Sequence, residues 1–148
     1  MTIILSSDHA GFLYKKKMAD WLISLGHTVV DAGPDHFVTT DDYPVYARKG
    51  ARHMKTTPNS FGIFICGSGA GMVIVANRFP WVRAVAAETT AVARRSRDED
   101  DANVLVIGSR IISFAAAKKL VAVFLKTPFS GLKRHQRRID MLSKIHGS

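Results

Sequence analysis

The part of the sequence that decides the fold reads FGIFICGSGAGMVIVANRF at residues 61–79. An apolar run at 61–66 is followed by a glycine-rich turn at 67–71 and then by a mainly apolar segment at 72–79. The first run has apolar residues on both faces, as central strands of a parallel sheet have. The segment therefore predicts a buried strand, a glycine loop and a helix, in that order.

Strand and helix patterns alternate on both sides of this segment. Further strands are predicted at 2–6, 27–31, 82–87 and 103–107, and further helices at 14–25, 43–55, 89–97, 113–126 and 132–145. Five strands alternating with helices predict an open, parallel α/β sheet in a single domain, residues 1–148. Ligands of such sheets bind beyond the carboxyl ends of the strands, which selects the loops 7–11, 66–71, 88–90 and 108–112.

The composition suits one soluble globular domain, since 47% of the 148 residues are hydrophobic and 22% are charged. No apolar run approaches the ~18–20 residues that a membrane span needs, and the apolar start at 2–7 is too short for a signal-peptide core. We therefore expect a cytoplasmic protein without a membrane partner. The single cysteine, Cys66, makes neither an internal disulfide nor a cysteine zinc site.

The formal charge of +9 favours an anionic partner. Residues 110–148 hold nine Lys or Arg against Asp140 alone, and the rest of the chain is nearly neutral. Aromatic residues interleaved with such charges would favour nucleic acid, but the only aromatic residues of this tail are three phenylalanines typical of a core or a turn. A phosphorylated small molecule is therefore the expected ligand, and nucleic acid is not expected.

The loop at 66–71 carries the strongest chemical signal. Backbone N–H groups of a glycine-rich turn that opens a helix converge on an anion, near the positive end of the helix dipole. The spacing matches neither the Walker A pattern nor the dinucleotide fingerprint. Cys66, at the rim of the loop, is either a small buried hydrophobic residue or a thiol with a lowered pKa that acts as base or nucleophile. Its neighbourhood favours the second interpretation.

Two other groups of side chains suit the same site. Asp8 and His9 follow the first strand and supply a carboxylate and an imidazole, although Asp8 could instead cap a helix and His9 could be solvated. Arg134 and Arg138 lie four residues apart on a predicted helix, where they can clamp a phosphate, and Arg110 is a further candidate. The alternative for this helix is a solvated basic surface.

No metal site is expected. The acidic run at 98–101 lacks the calcium-loop spacing, so we interpret it as a solvated loop that offsets Arg94, Arg95 and Arg97. The histidines are dispersed and form no zinc motif.

Five stretches, in this order, carry a family resemblance: Ser7-Asp8-His9-Ala10-Gly11, Asp42-Tyr43-Pro44, Cys66-Gly67-Ser68-Gly69-Ala70-Gly71 with Asn77, Asn103-Val104-Leu105 to Gly108-Ser109-Arg110, and Arg134-His135 with Arg138. On these residues the chain resembles the type B ribose-5-phosphate isomerases, a family that includes the galactose-6-phosphate isomerase subunits, along essentially its whole length. The resemblance implies cofactor-free aldose–ketose isomerisation of a phosphorylated sugar through a cis-enediolate. It also implies a Rossmann-like three-layer fold with a five-stranded parallel sheet.

The resemblance assigns roles to the candidate residues. Cys66 is the base that moves a proton between C1 and C2, with the hydroxyl of Ser68 beside it. The substrate is contacted by Asp8, His9, Tyr43, Gly67, Gly69, Ala70 and Gly71, and its phosphate is held by His9, Arg110, Arg134 and Arg138. The C-terminal helix reaches a neighbouring subunit, which implies a homodimer or homotetramer with shared active sites.

One departure from the family pattern concerns ring opening. Typical members have a histidine, assigned to opening the furanose ring, followed by asparagine in the loop before the fifth strand; here these positions are Glu99 and Asp100. Glu99 could take the acid–base role with Asp100 beside the substrate, or His135 could approach from the tail. Otherwise the substrate needs no such help. Both carboxylates should point away from the phosphate or pair with Arg97.

The leading hypothesis is the conversion of ribose 5-phosphate to ribulose 5-phosphate. One alternative is another sugar phosphate: galactose 6-phosphate, allose 6-phosphate or a four-carbon sugar phosphate. A second is one half of a two-subunit isomerase that needs a similar partner chain. A third is a catalytically inactive module that binds a phosphate ligand.

Overall fold

Five parallel strands form one sheet in the order β2-β1-β3-β5-β4, in a computed structural model that describes residues 1–145. The strands are β1 Thr2–Ser7, β2 Thr28–Asp31, β3 Phe61–Cys66, β4 Ala84–Ala86 and β5 Val104–Gly108. β3 is the central strand, because it pairs with β1 on one side and with β5 on the other. The open parallel sheet predicted from the sequence is confirmed.

Helices cover both faces of this sheet. They are α1 Phe12–Ser24, α2 Tyr43–Thr56, α3 Ala70–Ala76, α4 Thr90–Asp98, α5 Phe114–Lys126 and α6 Lys133–Leu142. Residues of α1, α4 and α5 build the apolar core on one face, and residues of α2 and α3 build the core on the other. The three-layer architecture is therefore confirmed. None of the helices within 1–145 is long and apolar enough to cross a bilayer.

Side chains of β3 alternate between the two cores. Ile63 and Ile65 belong to the core that contains α1 and α5, whereas Phe64 and Cys66 belong to the core that contains α2 and α3. Successive side chains of a strand point to opposite faces, so this alternation fixes the face on which the cysteine lies. The thiol is thus placed at the end of the central strand, on the side of the glycine loop.

The fourth strand is shorter than predicted, three residues at the edge of the sheet instead of six. The backbone N–H of Arg83 donates to the side chain of Asn103, and the N–H of Val82 closes a turn onto Phe79. The side-chain amide of Asn77 bonds both the N–H and the carbonyl of Ala84, at 2.8 and 2.9 Å. Because these backbone groups form hydrogen bonds outside the sheet, the strand is only three residues long.

The third helix also starts and ends earlier than its prediction of 72–79. Gly69 has φ +90°, a conformation that glycine adopts readily, and the helix begins directly after it. At the other end, the N–H groups of Arg78 and Phe79 close turns onto Val75 and Ala76, just before Pro80.

A buried lysine fixes the start of the long loop 32–42 that follows β2. Lys15 of α1 is 1% exposed, and its Nζ lies 2.5 Å from both carboxylate oxygens of Asp31 and 3.2 Å from the carbonyl of Pro34. A Cβ on Gly33 would lie 2.6 Å from the same Nζ, so any other residue at position 33 would displace the ammonium group from its present position. The path of the loop is therefore set by an ion pair with α1.

Candidate active site

A cleft of about 320 Å³ lies at the carboxyl ends of the three central strands. Its lining consists of Asp8, His9, Ala10, Tyr43, Cys66, Gly67, Ser68, Gly71, Arg110 and Ile111. The loops after β1, β3 and β5 meet here, as expected for an open parallel sheet. The fourth selected loop, 88–90, does not contribute to the lining.

Cys66 is the last residue of β3 and is 4% exposed. Its Sγ accepts a hydrogen bond from the Gly69 N–H at 3.1 Å. Burial raises the pKa of the Cys66 thiol above its ordinary value, and the N–H groups of Gly69, Met72 and Ser68 oppose that rise only in part. The expectation of a lowered pKa is therefore wrong in direction, because desolvation of the thiolate exceeds the stabilisation that the loop amides supply. Cys66 both belongs to the apolar core and lines the cleft.

The glycine loop is held in place by the chain that follows β5. The N–H groups of Ser109 and Arg110 donate to the carbonyls of Cys66 and Gly67, at 2.8 and 3.1 Å. A Cβ on Gly108 would lie 2.6 Å from the carbonyl oxygen of Ser68, so the two loops touch through their backbones. This contact also brings Arg110 to the rim of the cleft.

Tyr43 reaches the cleft from the other side, as the first residue of α2. Its ring lies directly over the start of α3, where a Cβ on Gly71 would come within 2.5 Å of Cζ. Because Gly71 has no side chain, the Tyr43 ring can pack closely against the start of α3.

Asp8 is buried at the end of β1, and its carboxylate accepts a hydrogen bond from the N–H of Gly11 at 3.2 Å. It thus caps the short 3₁₀ turn His9–Gly11 and also lines the cleft, so both interpretations made from the sequence apply to it. Burial raises the pKa of Asp8, and the hydrogen bond to Gly11 and the charge of His9 oppose this rise. The Asp8 charge in turn contributes to the raised pKa of Cys66.

His9 is bound by a carboxylate that the sequence pattern does not single out. Its Nδ1 lies 2.7 Å from Oδ1 of Asp41, and its backbone N–H donates to the same oxygen at 2.8 Å. The hydrogen bond to Asp41 raises the pKa of His9, against the opposing effect of desolvation. The position of Asp41, directly before the Asp42-Tyr43-Pro44 stretch, is the one signal that could have indicated it.

The predicted phosphate-binding residues divide into two groups. His9 and Arg110 lie in the cleft, whereas Arg134 and Arg138 are exposed on α6 and are not part of its lining in this chain. Their role in phosphate binding therefore stays a prediction.

Glu99 and Asp100 also lie away from the cleft of their own chain. They precede β5, so they are at the amino-terminal edge of the sheet, whereas Cys66 pairs with the last residue of β5. Glu99 is 3.6 Å from Arg95, and Asp100 lines a separate groove of about 730 Å³ bordered by α6. The expected pairing of these two carboxylates with Arg97 is replaced by one between Arg97 and Asp101 at 2.6 Å.

His135 is not free to act in this cleft. It is 4% exposed, and its Nδ1 lies 2.7 Å from the hydroxyl of Ser130. Among the residues of 1–145, no three His, Cys, Asp or Glu side chains are grouped so that they could hold a metal ion.

Comparison with known proteins shows the family. The model of a family described as Ribose/Galactose Isomerase matches residues 3–142. The chain belongs to this family. The resemblance inferred from the sequence is thereby confirmed.

Members of the Ribose/Galactose Isomerase family with known names are similar over nearly the whole chain. Ribose-5-phosphate isomerase B of Mycolicibacterium paratuberculosis is 38% identical over 144 residues, which is 97% of this chain and 91% of the relative. The Escherichia coli protein of the same name is 36% identical over 143 residues, 97% of this chain and 95% of the relative.

Solved structures of this kind share the fold. The ribose 5-phosphate isomerase of Thermotoga maritima superposes with a TM-score of 0.92 at 38% identity, covering 97% of this chain and 98% of the other. Ribose-5-phosphate isomerase B of Mycoplasma genitalium, solved with bound ribulose-5-phosphate, also gives 0.92 at 38% identity, with 97% and 94% covered.

Proposed function

We propose that this protein converts ribose 5-phosphate to ribulose 5-phosphate without a cofactor, with Cys66 as the base. The observation that carries the proposal is the cleft itself, in which one thiol lies beside a glycine loop, two acid–base side chains and an arginine. Its family and the ribulose-5-phosphate bound to the Mycoplasma genitalium relative support the choice of substrate.

In the proposed reaction, the Cys66 thiolate takes the proton from C2 of the open-chain aldose. The electron pair left on C2 forms the enediol double bond to C1, and negative charge develops on the oxygen at C1. Cys66 then returns its proton to C1, and the proton of the C2 hydroxyl passes to the negative oxygen at C1, which gives the ketose. The Ser68 hydroxyl at the rim of the cleft can exchange protons with these oxygens.

The loop supplies the stabilisation that this charge needs. Gly67 and Gly71 line the cleft beside the start of α3, where backbone N–H groups and the helix dipole favour an anion. Gly69 and Ala70 are not part of the lining, because their N–H groups donate to Sγ of Cys66 and to Oγ of Ser68, at 3.1 and 3.4 Å. Tyr43 and Asp8 line the space in which the sugar hydroxyls would lie. His9 and Arg110 supply positive charge for the phosphate.

A second copy of the chain completes the proposed site. Arg134 and Arg138 do not line the cleft of their own chain, so they would bind the phosphate in a partner's cleft, within a homodimer or homotetramer. The groove of about 730 Å³ beside α6 has Phe79, Val85, Ile139 and Leu142 in its lining, and it is a surface on which a second copy could pack.

Glu99 could reach a reacting sugar only in the cleft of a partner chain. In its own chain, Glu99 lies at the amino-terminal ends of the strands and Cys66 at their carboxyl ends. In a partner's cleft, Glu99 would act in ring opening and Asp100 would contact the sugar. The cytoplasmic location and the possible need for a similar partner chain stay predictions.

The test is direct measurement of ketose formation from ribose 5-phosphate by the purified chain, beside the Cys66→Ala and Cys66→Ser variants. We expect both variants to fold and to lose about 10²–10⁴-fold in kcat, as removal of a general base does. A Ser60→Ala variant is the control, because within residues 1–145 the hydroxyl of this buried serine bonds only the carbonyl of Thr57 and lies outside the cleft.

Turnover retained in Cys66→Ala would remove the thiol from the mechanism. A folded wild-type protein that leaves ribose 5-phosphate unchanged would overturn the proposed substrate. Galactose 6-phosphate, allose 6-phosphate and a four-carbon sugar phosphate would then be assayed, followed by binding of a phosphate ligand without turnover.

A further inference from the structure

The histidine of the cleft is held by a carboxylate from a distant part of the chain. Oδ1 of Asp41 accepts the His9 backbone N–H at 2.8 Å and lies 2.7 Å from Nδ1 of the His9 ring. Asp41 comes from the loop 32–42, thirty-two residues further along the chain. Backbone and side chain of His9 are thus both fixed by one oxygen atom.

The environment of Asp41 directs its charge toward His9. The Asp41 side chain is 7% exposed, and within the described residues its Oδ2 is buried without a hydrogen-bond partner. Tyr46 of α2 is the other titratable group beside Asp41, and burial, the charge of Asp41 and a side-chain hydrogen bond to it raise the pKa of this phenol. The phenol therefore stays neutral and does not balance the charge of Asp41. His9, whose side chain is 31% exposed, is therefore the group that compensates this carboxylate.

We propose that Asp41 is a positioning residue for His9: it holds Nδ1–H, fixes the ring orientation and leaves Nε2 as the nitrogen that binds the sugar phosphate. The identity of that ligand rests on the proposed function, but the contact between the two side chains does not. Because a hydrogen bond at one ring nitrogen determines which tautomer the imidazole adopts, Nε2 accepts in the neutral ring and donates in the charged one.

The charges around His9 determine whether the ligand binds to the neutral or to the charged imidazole. Two carboxylates, Asp41 and Asp8, lie beside it and favour the imidazolium, against the effect of desolvation. The positive charge of Arg110, which lines the same cleft, disfavours it. An anionic phosphate adds a further negative charge. These charges favour binding of the ligand to a charged ring that donates through Nε2–H, and Asp41 extends to higher pH the range over which this donor is charged.

The test compares Asp41→Asn with the control Asp35→Asn by nuclear magnetic resonance titration of the histidines in the full chain. Asp35 is an exposed carboxylate of the same loop that makes no hydrogen bond to His9, so its removal changes the net charge equally. We expect the His9 titration midpoint to fall by about one pH unit or more in Asp41→Asn and to stay near the wild-type value in Asp35→Asn. The His9→Gln spectrum assigns the signal.

Kinetics with ribose 5-phosphate supply the second readout. In Asp41→Asn, KM near neutral pH should rise about tenfold, as expected when a charge-assisted contact is weakened, while kcat changes little. The rise should disappear at acid pH, where His9 is protonated in both proteins. In a His9→Gln background, Asp41→Asn should have no further effect on KM.

The outcomes separate this proposal from the function it builds on. An unchanged His9 midpoint in Asp41→Asn, or an equal rise in KM in the His9→Gln background, would show a structural role only and overturn the proposal. Should the wild type not turn over ribose 5-phosphate, the titration and the binding of inorganic phosphate still test it. If Asp41→Asn does not fold, a wild-type midpoint at or below that of an exposed histidine overturns it.

Discussion

The backbone N–H of Gly69 donates a hydrogen bond to Sγ of Cys66 across a distance of 3.1 Å. A negative sulfur is favoured by this contact, but the thiol is buried, and burial keeps its pKa above the ordinary value. The base of the proposed reaction is therefore mainly protonated at neutral pH, and its reactive fraction grows as the pH rises.

The first prediction follows from the upward shift of the Cys66 pKa. The thiolate is the deprotonated form, so kcat at saturating ribose 5-phosphate should increase with pH through the neutral range and level off only above the raised pKa of Cys66. We compare kcat because loss of the His9 charge as the pH rises should act on KM. The profile should be recorded from about pH 6 to about pH 10, spanning the usual range of cysteine titration. A rate that is flat or falls across this range would show that another group limits the reaction.

The second prediction concerns Gly69. Its φ of +90° is unfavourable for alanine, so Gly69→Ala should cost about 1–2 kcal/mol of unfolding free energy and displace the N–H that faces Cys66. Turnover should fall by more than about tenfold, as loss of one oriented donor does. Gly26→Ala is the matched control: Gly26 also has a positive φ, +82°, but it lies beyond the end of α1, with no atom near its missing Cβ. It should lose similar stability and keep its activity.

The third prediction tests whether sites are shared between copies. Arg134→Gln and Arg138→Gln should each raise KM for ribose 5-phosphate about tenfold or more, because a charged hydrogen bond to phosphate is lost. Arg137→Gln removes the same charge from the same helix and should have a small effect. Mixing inactive Cys66→Ala chains with the Arg134→Gln/Arg138→Gln double variant should restore part of the activity, since some clefts then receive intact residues from both chains. No restoration after confirmed subunit exchange would contradict a shared site.

The fourth prediction addresses the buried ion pair of α1. Lys15→Ala should lower the unfolding free energy by about 2–3 kcal/mol, because it leaves a cavity and removes the partner of Asp31 and of the Pro34 carbonyl. The half-exposed Asp31 can be rehydrated, which keeps the loss below that of a fully buried pair. Urea denaturation measures it, with exposed Lys17→Ala as the control expected to stay within about 0.5 kcal/mol. Equal stability of both variants would contradict the anchoring role.

Local pattern was sufficient to predict the centre of the fold. The run Phe61–Cys66 is buried on both faces over its own length, so its apolar composition indicates a central strand without knowledge of its neighbours. The edge strand Ala84–Ala86 was predicted too long because its apolar residues continue into a segment whose backbone bonds Asn103 and Phe79 instead. The latter contacts depend on tertiary structure, which periodicity does not report.

The chemistry of the cleft was predicted only in part, for the same reason. Asp8, His9, Cys66 and Arg110 could be placed together because each ends or follows a strand of a parallel sheet. Asp41 lies in an irregular loop whose path depends on Lys15, so no spacing indicated its contact with His9. The direction of the Cys66 pKa shift depends on burial, which the glycine-rich loop alone does not reveal.

The two hydrogen bonds between the side-chain amide of Asn77 and the backbone of Ala84 have a consequence for the behaviour of the protein at high concentration. An outer strand with unpaired N–H and carbonyl groups is a template on which another molecule can extend the sheet. Here the outer strand is three residues long, and both backbone groups of Ala84 are already bonded to one side-chain amide. Few unpaired backbone groups of this outer strand remain for an incoming strand, so this edge is protected against fibrous self-association.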